Sequence, residues 1–339
     1  MKKIIITGGC GFIGHHAVKY FLDNTDWHIY IIDKLSYASG GLNRLRDIDY
    51  DGNFSKLRVS FFSADLSIPL SSGIKEEICD ADYILHLAAE THVDNSIKNP
   101  LDFVSSNVVG TFNILEFARE LINVELKAFV YFSTDEVFGN APEAVKYKEW
   151  DRYNSTSPYS ATKAAGEELT LAYMNSYDLP GFIVHCMNCI GERQHPEKFI
   201  PKTIKNAIEE NEIFIHCCKE NRVSGSRFYI HAADVIDAVY FLLDKFEQRE
   251  KYNIAGREEM SNIAVALEIS RILETQIKYK LVNFHEDRPG QDFRYDLDET
   301  KLKKMGWEAP EGIKYTLEDI VKWYVLPQNK KWLYMKKYD

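Results

Sequence analysis

The chain has 339 residues, 45% hydrophobic and 27% charged, with 41 Lys plus Arg against 51 Asp plus Glu and a net charge of −10. That length suits one large domain or two closely joined ones, with a core that needs no staples, and the acidic balance excludes a general nucleic-acid binder, which needs a basic face. No apolar run approaches the ~20 residues of a membrane span, and six cysteines are too sparse for a secreted disulfide scaffold and fit a cytoplasmic protein.

In chain order, Ile4–Ile6, His28–Ile32, Val59–Phe62, Tyr83–Leu87 and Ala128–Ser133 read as strands. They are continuous rather than alternating in their apolar residues, which marks strands covered on both faces. Between them, Ile13-Ala17-Phe21 and Phe103-Asn107-Ile114-Phe117 keep helical spacing. The alternation predicts βαβ units and a doubly wound α/β fold with a parallel sheet over residues 1–180. Past Pro180-Gly181 come one more strand, Phe182–Met187, a helical register Pro201-Ile204-Ile208, and short elements punctuated by Pro289, Gly290, Gly306 and Pro310. Residues 181–339 are expected to form mainly a smaller lobe, with some segments returning to the main sheet.

The run Ile4-Ile5-Ile6-Thr7-Gly8-Gly9-Cys10-Gly11-Phe12-Ile13-Gly14 is a strand, a glycine-rich turn and a helix start. Glycines at 8, 11 and 14 permit a tight turn, a close approach to a pyrophosphate and close helix–strand packing, and the helix N-terminus offers amides to the anion. Asp33 ends the next strand, where a carboxylate binds ribose hydroxyls and repels a 2′-phosphate, so NAD is expected rather than NADP. Asp65, after the third strand, reads as an adenine contact or as a helix N-cap.

Farther on, Tyr159 and Lys163 follow Pro158 at i,i+4 spacing and share one helix face. An ammonium beside a phenol lowers the phenol pKa from ~10, giving a base for a hydroxyl proton. The segment Ser133-Thr134-Asp135-Glu136-Val137-Phe138-Gly139 follows the strand Ala128–Phe132 at its carboxyl end, where open α/β sheets place ligands. Its adjacent carboxyls read as a helix cap or as an acid/base pair. Cys186-Met187-Asn188-Cys189, His15-His16 and His216-Cys217-Cys218 show no ligand set at metal spacing, and no metal is expected.

These segments carry a resemblance. With Asp33 to Ala38, Leu87 to Asp94, Asn107 to Thr111, Pro196 to Pro201 and Asp287 to Gly290, the chain resembles the extended short-chain dehydrogenase/reductases. Within them it is similar to the nucleotide-sugar 4,6-dehydratases of the dTDP-glucose type, and the Thr134-Asp135-Glu136 triplet is the specific part. The resemblance implies a Rossmann domain that holds NAD and a C-terminal lobe that binds the sugar nucleotide. It also implies that Tyr159, with Lys163 and Thr134, takes the proton of the sugar's 4-hydroxyl. Glu136 would take the C5 proton and Asp135 would protonate the departing 6-hydroxyl. The same match places Gly8, Gly11, Phe12, Ile13, Gly14, Asp33, Lys34, Ser36, Asp65, Leu66, Leu87, Ala88, Ala89, Ser106, Tyr159 and Lys163 at the cofactor. It places Thr91, Thr134, Asn188, Lys198, Phe199, Arg227, Asn262 and Arg288 at the sugar nucleotide, with the two arginines as diphosphate clamps. Cys189, Gln291 and the residues around Cys217 depart from the family pattern, which leaves dTDP- and UDP-glucose both open. A homodimer is implied through helices of the dinucleotide domain. The competing readings are an NAD-dependent nucleotide-sugar epimerase or decarboxylase, and a non-catalytic NAD sensor.

Overall fold

The apolar runs fold as strands because each feeds two cores at once. A computed structural model describes residues 1–49, 58–124, 126–217, 223–283 and 292–335. Its strands are β1 (Lys3–Thr7), β2 (His28–Asp33), β3 (Val59–Ser63), β4 (Tyr83–His86), β5 (Ala128–Thr134) and β6 (Gly181–Cys186). They continue with β7 (Asn188–Ile190), β8 (Ile213–Cys217), β9 (Ser226–His231), β10 (Lys251–Ile254), β11 (Glu259–Ser261) and β12 (Tyr279–Asn283). Seven of them form one parallel sheet in the order β10-β6-β5-β4-β1-β2-β3.

Ile4 and Ile6 enter one cluster with Ala17, Val18 and Phe21 of the helix Phe12–Asn24 and Val235 and Val239 of the helix Ala232–Leu243. Ile5, between them, enters the opposite cluster with Ile84, Phe129, Ile114, Phe117 and Met174. Each of these side chains larger than alanine contributes about 1.5–3 kcal/mol by burial, so neither face tolerates a polar alternation. The six expected strands match the observed ones to within one residue at either end. The periodic stretch from Phe103 is more complex than its spacing predicts. A short helix Pro100–Phe103 passes through a π-helical turn, Val104–Val109, before the helix Gly110–Leu121. That wider turn carries Asn107 inward, where it is 1% exposed.

β6 and β10 lie in the main sheet, while β7, β9 and β11 form a three-stranded sheet and β8 and β12 a pair. The helices Phe199–Ile208, Asn262–Ile272 and Ile313–Val325 pack together in a third cluster around Ile204, Ile269 and Leu317. No helix among the described residues is long and apolar enough to cross a membrane.

From β1 the chain moves to β2 and β3, then reverses to β4, β5 and β6 on the other side. The carboxyl ends of β1 and β4 therefore open a crevice at the switch point. Its floor depends on glycine. A Cβ on Gly14 would stand 2.0 Å from the Gly8 carbonyl oxygen, whereas one on Gly73, in the helix Ser72–Ile78, would meet nothing within 4 Å. Gly14→Ala should lower the stability measured by urea denaturation by about 1–3 kcal/mol. Gly73→Ala should leave it unchanged or raise it by up to about 1 kcal/mol. Equal midpoints for the two variants would mean that the loop has room the structure denies it.

Candidate functional site

β1, β2 and β4 deliver three loops to the crevice. Gly8, with φ at +70°, lets the loop after β1 approach the loop after β4; a Cβ there would stand 2.8 Å from the Ala88 amide nitrogen. The helix Phe12–Asn24 starts without a side-chain cap, so its first-turn amides are left for an anion. Asp33 braces the turn by accepting from the Cys10 amide at 3.0 Å and the Leu35 amide at 2.7 Å. Burial nonetheless raises its pKa. Lys34 crosses to the loop after β4, 3.0 Å from Glu90 and 2.9 Å from the Ser106 hydroxyl. Asp65 caps a turn and not a helix, accepting from the Ser67 amide at 2.9 Å.

Asn107 joins this end to the other. Its side chain accepts from the Glu90 amide at 2.8 Å and donates to the Glu90 carbonyl and the Thr162 hydroxyl, each at 3.0 Å. Thr162 belongs to the helix Pro158–Tyr177. Ser157 caps that helix, accepting from the Ser160 amide at 3.1 Å while the Ser160 hydroxyl accepts in return, and Pro158 opens the first turn. Tyr159 and Lys163, four residues apart, are both buried on it.

β5 brings Ser133 and Thr134 to the same place, and a 3₁₀ turn, Asp135–Phe138, follows. The Thr134 hydroxyl donates to Asp135 Oδ1 at 3.0 Å and accepts from the Glu136 amide at 3.3 Å. Asp135 Oδ2 is buried without a partner. Burial pushes Asp135 up to about 6. Burial, then the neighbouring Asp135 charge, pushes Glu136 up to about 8, with Arg227 and Lys198 opposing. Between these values the pair holds one proton and one charge, an acid and a base side by side. Glu136 is the tighter proton holder.

The expected lowering of the Tyr159 pKa by Lys163 is not what this cleft produces. Burial, then the charge of Glu136, holds the phenol well above its ordinary range, with only the Thr134 hydroxyl among the main influences pulling down. Burial also lowers Lys163 to about 8, which weakens the ammonium meant to do the work. That ammonium lies 4.3 Å from the centroid of the Tyr131 ring.

One cleft, enclosing about 320 Å³, is lined by every residue expected at the cofactor and by Thr91, Thr134, Asp135, Glu136, Asn188 and Lys198. Three expected substrate residues lie outside that lining. Phe199 starts the helix Phe199–Ile208 and packs against the third cluster. The Arg227 guanidinium donates to the carbonyls of Ser226, Phe293 and Asp292 at 2.7, 2.6 and 2.9 Å, so its donors are occupied by backbone although its charge reaches the Asp135–Glu136 pair. Asn262 accepts from the Tyr229 hydroxyl at 3.0 Å. Arg288, Gln291 and the residues that follow Cys217, up to 222, lie outside the described residues.

The lining also includes Arg44, Glu90, His92, Gln194, His195 and Glu197, to which sequence reasoning gave no role. Glu90, His92 and Glu197 fall inside segments that carry the resemblance, which is the signal for them. Arg44 has none: it is fully buried and donates to the carbonyls of Cys10, Ala38, Ser39 and Arg193, contacts no local pattern encodes.

Comparisons agree with this geometry. The family described as GDP-mannose 4,6 dehydratase matches residues 5–322. A probable dTDP-glucose 4,6-dehydratase of Sinorhizobium fredii is 35% identical over 342 residues, 97% of this chain and 94% of that protein. A trifunctional Arabidopsis thaliana protein, UDP-glucose 4,6-dehydratase, UDP-4-keto-6-deoxy-D-glucose 3,5-epimerase and UDP-4-keto-L-rhamnose reductase in one, is 37% identical over 338 residues, 98% of this chain and 48% of that protein. Among solved structures, a dTDP-glucose 4,6-dehydratase from Streptomyces venezuelae with NAD bound superimposes with a TM-score of 0.86 at 30% identity, covering 98% of this chain and 100% of that one.

The carboxyl pair has a consequence for stability. Glu136 binds its proton more tightly in the folded state, at about 8, than at its usual 4.5. The native state therefore holds more protons across that window, and stability falls as pH rises through it. Glu136→Gln removes the titration. Its stability relative to the parent chain, by urea denaturation, should increase from about pH 5 to about pH 8. A difference that stays flat would show that Glu136 is ionised throughout.

Proposed function

We propose, for a chain that belongs to the GDP-mannose 4,6-dehydratase family, that this cleft dehydrates a nucleoside-diphosphate glucose, with Tyr159, Lys163 and Thr134 serving C4 and the Asp135–Glu136 pair serving C5 and C6. The protein is a nucleotide-sugar 4,6-dehydratase, a hydro-lyase that works with NAD. The observation that carries the assignment of roles is the Asp135–Glu136 pair beside Tyr159, Asp135 buried with one carboxylate oxygen left without a partner and Glu136 half-buried. A superfamily member that only oxidises or epimerises at C4 has no use for a second acid.

The glycine turn, the uncapped helix start and Asp33 fit a dinucleotide. Bound NAD supplies the hydride acceptor at C4 and the hydride donor at C6, and its positive nicotinamide adds a charge that favours the Tyr159 phenolate. Tyr159 Oη takes the proton of the 4-hydroxyl as C4 becomes a ketone, and Lys163 holds the phenolate in place. The ketone acidifies C5, and the Glu136 carboxylate takes that proton. Asp135 gives its proton to the 6-hydroxyl, which leaves as water, so the pair ends with the proton on Glu136 and the charge on Asp135. Glu136 returns its proton to C5 as C6 is reduced. The sugar loses one water, the proton taken by Tyr159 is released to solvent while Asp135 regains one from it, and the net oxidation state of the chain and its cofactor is unchanged.

In the cleft alone the shared proton rests on Glu136 and the charge on Asp135, so the proposed roles require substrate and NAD to move that proton to Asp135 before C5 is deprotonated. The nucleotide is thymidine- or uridine-linked; relatives of both kinds match over nearly the whole chain. Residues 181–339 are read as the main sugar-nucleotide lobe. Unpaired thiols at Cys10, Cys79, Cys186, Cys189 and Cys217 support a cytoplasmic location. Leu101, Val104, Val109 and Phe112 form an exposed apolar stripe along the helical run 100–121, with Leu101 72% exposed. That stripe supports a homodimer formed through these helices.

Incubation of the protein with dTDP-glucose and with UDP-glucose, read by mass spectrometry, should give a product lighter by one water from at least one of them, without net accumulation of NADH. Glu136→Gln should bind the nucleotide sugar, stop after C4 oxidation and accumulate reduced nicotinamide absorbance. Normal product from that variant would remove Glu136 from the base role. For the dimer, Leu101→Asp with Phe112→Asp should halve the sedimenting mass, and an unaltered chain that sediments as a monomer contradicts the proposal.

A further inference from the structure

Three residues far apart in sequence meet behind the glycine turn. His16 lies in the helix Phe12–Asn24, Glu192 in the turn after β7, and His231 at the end of β9. Their ligating atoms all fall within 4.8 Å of one another. Glu192 Oε2 is 3.1 Å from His231 Nε2 and 3.9 Å from His16 Nε2. His16 is 5% exposed, and its Nε2 is buried with no hydrogen-bond partner. Gly191 keeps the space open: a Cβ there would stand 3.0 Å from His16 Nε2 and 3.1 Å from His231 Nε2. A buried ring nitrogen without a partner is costly, and here it points at a carboxylate and a second imidazole.

We propose that His16, Glu192 and His231 form a divalent-cation site of the zinc class, separate from the nucleotide cleft. Two imidazoles and one carboxylate select a borderline ion over magnesium or calcium, which take oxygen ligands. Bonds of about 2.0–2.1 Å around a tetrahedron put ligand atoms about 3.3 Å apart, so the 3.9 Å His16–Glu192 separation must close by about 0.6 Å, and the two imidazoles, whose ligand atoms lie within 4.8 Å of each other, by no more than about 1.5 Å. Water fills the fourth position from the side where Glu192 and His231 are partly exposed.

Occupancy has a cost at His231. The Ala233 amide donates to its Nδ1 at 3.2 Å, capping the helix Ala232–Leu243, so Nε2 carries the proton shared with Glu192. An ion at Nε2 moves that proton to Nδ1 and releases the cap, which holds the affinity to a moderate value. In exchange it clamps the helix bearing Gly14 and Phe12 to β7 and β9. The Phe12 ring sits edge-on to His16, with centroids 5.4 Å apart.

The test uses the full chain with NAD bound, stripped with a chelator and titrated with Zn²⁺ by calorimetry and with Co²⁺ by absorption. One ion per chain, a rise in melting temperature and a cobalt spectrum without thiolate charge transfer are expected. Loss of a ligand should exceed the roughly 10–100-fold cost of losing an outer-shell partner, so Glu192→Gln and His16→Gln should each weaken binding more than about 100-fold. Glu192→Gln is partly exposed and nearly isosteric, and circular dichroism checks that it folds. No saturable uptake by the unaltered chain, uptake indifferent to Glu192→Gln, or a thiolate band placing the ion on cysteine would each overturn the site.

Discussion

The carboxylate of Glu167 holds the catalytic end together. It sits on the helix Pro158–Tyr177 one turn past Lys163, with no exposed surface. The Ser133 hydroxyl of β5 donates to it at 2.6 Å, His185 of β6 lies at 3.1 Å, Lys251 of β10 at 3.0 Å, and the Tyr153 hydroxyl also donates. Three neighbouring strands and one helix thus share one buried charge. A buried carboxylate is stable only when it is paired and hydrogen-bonded on every side, and the His185 and Lys251 charges hold this one far below the usual carboxylate range. Tyr159 and Lys163 inherit their position from this anchor, because they stand on the same helix, eight and four residues before it.

From that anchor the chemistry follows. β5 cannot shift along the helix without breaking the Ser133 contact, so Thr134 and the two carboxyls are delivered to Tyr159 in fixed register. The dryness that costs so much at Glu167 does useful chemistry at Asp135 and Glu136. Desolvation raises both pKa values into the range where one proton is shared, so a single dyad presents an acid and a base. The same dryness works against the Tyr159 phenolate, which needs positive charge beyond that of Lys163. Under the proposed roles, the carboxyl pair draws its shared proton from the cleft alone and Tyr159 depends on a bound dinucleotide.

Much of this was legible in the sequence because its causes are local. Ile4-Ile5-Ile6 and Ala128–Thr134 announce two-sided burial by composition, and Gly8 to Gly14 announces a close approach that the structure realises at Gly8 and Ala88. The Ser157-Pro158 start of the catalytic helix is likewise local. What escaped depends on contacts between distant segments. The backbone carbonyls of Phe293 and Asp292 occupy Arg227, the Asn107–Glu90 pairing turns a regular helix into a π turn, and Arg44 is swallowed by four carbonyls from three loops. The Tyr159–Lys163 spacing predicts the shared helix face, and says nothing of the burial and the neighbouring carboxyls that reverse the expected shift. His16, Glu192 and His231 meet only through the packing of a helix on two strands.

In the proposed reaction one cleft removes hydrogen from C4 and returns the same hydrogen to C6 after water has left. Nucleoside-diphosphate glucose carrying deuterium at C4, turned over by the NAD-bound chain in ordinary water, tests it directly. Deuterium recovered at C6 of the 4-keto-6-deoxy product is the predicted result. Deuterium retained at C4, or lost to solvent while water is still eliminated, would contradict it.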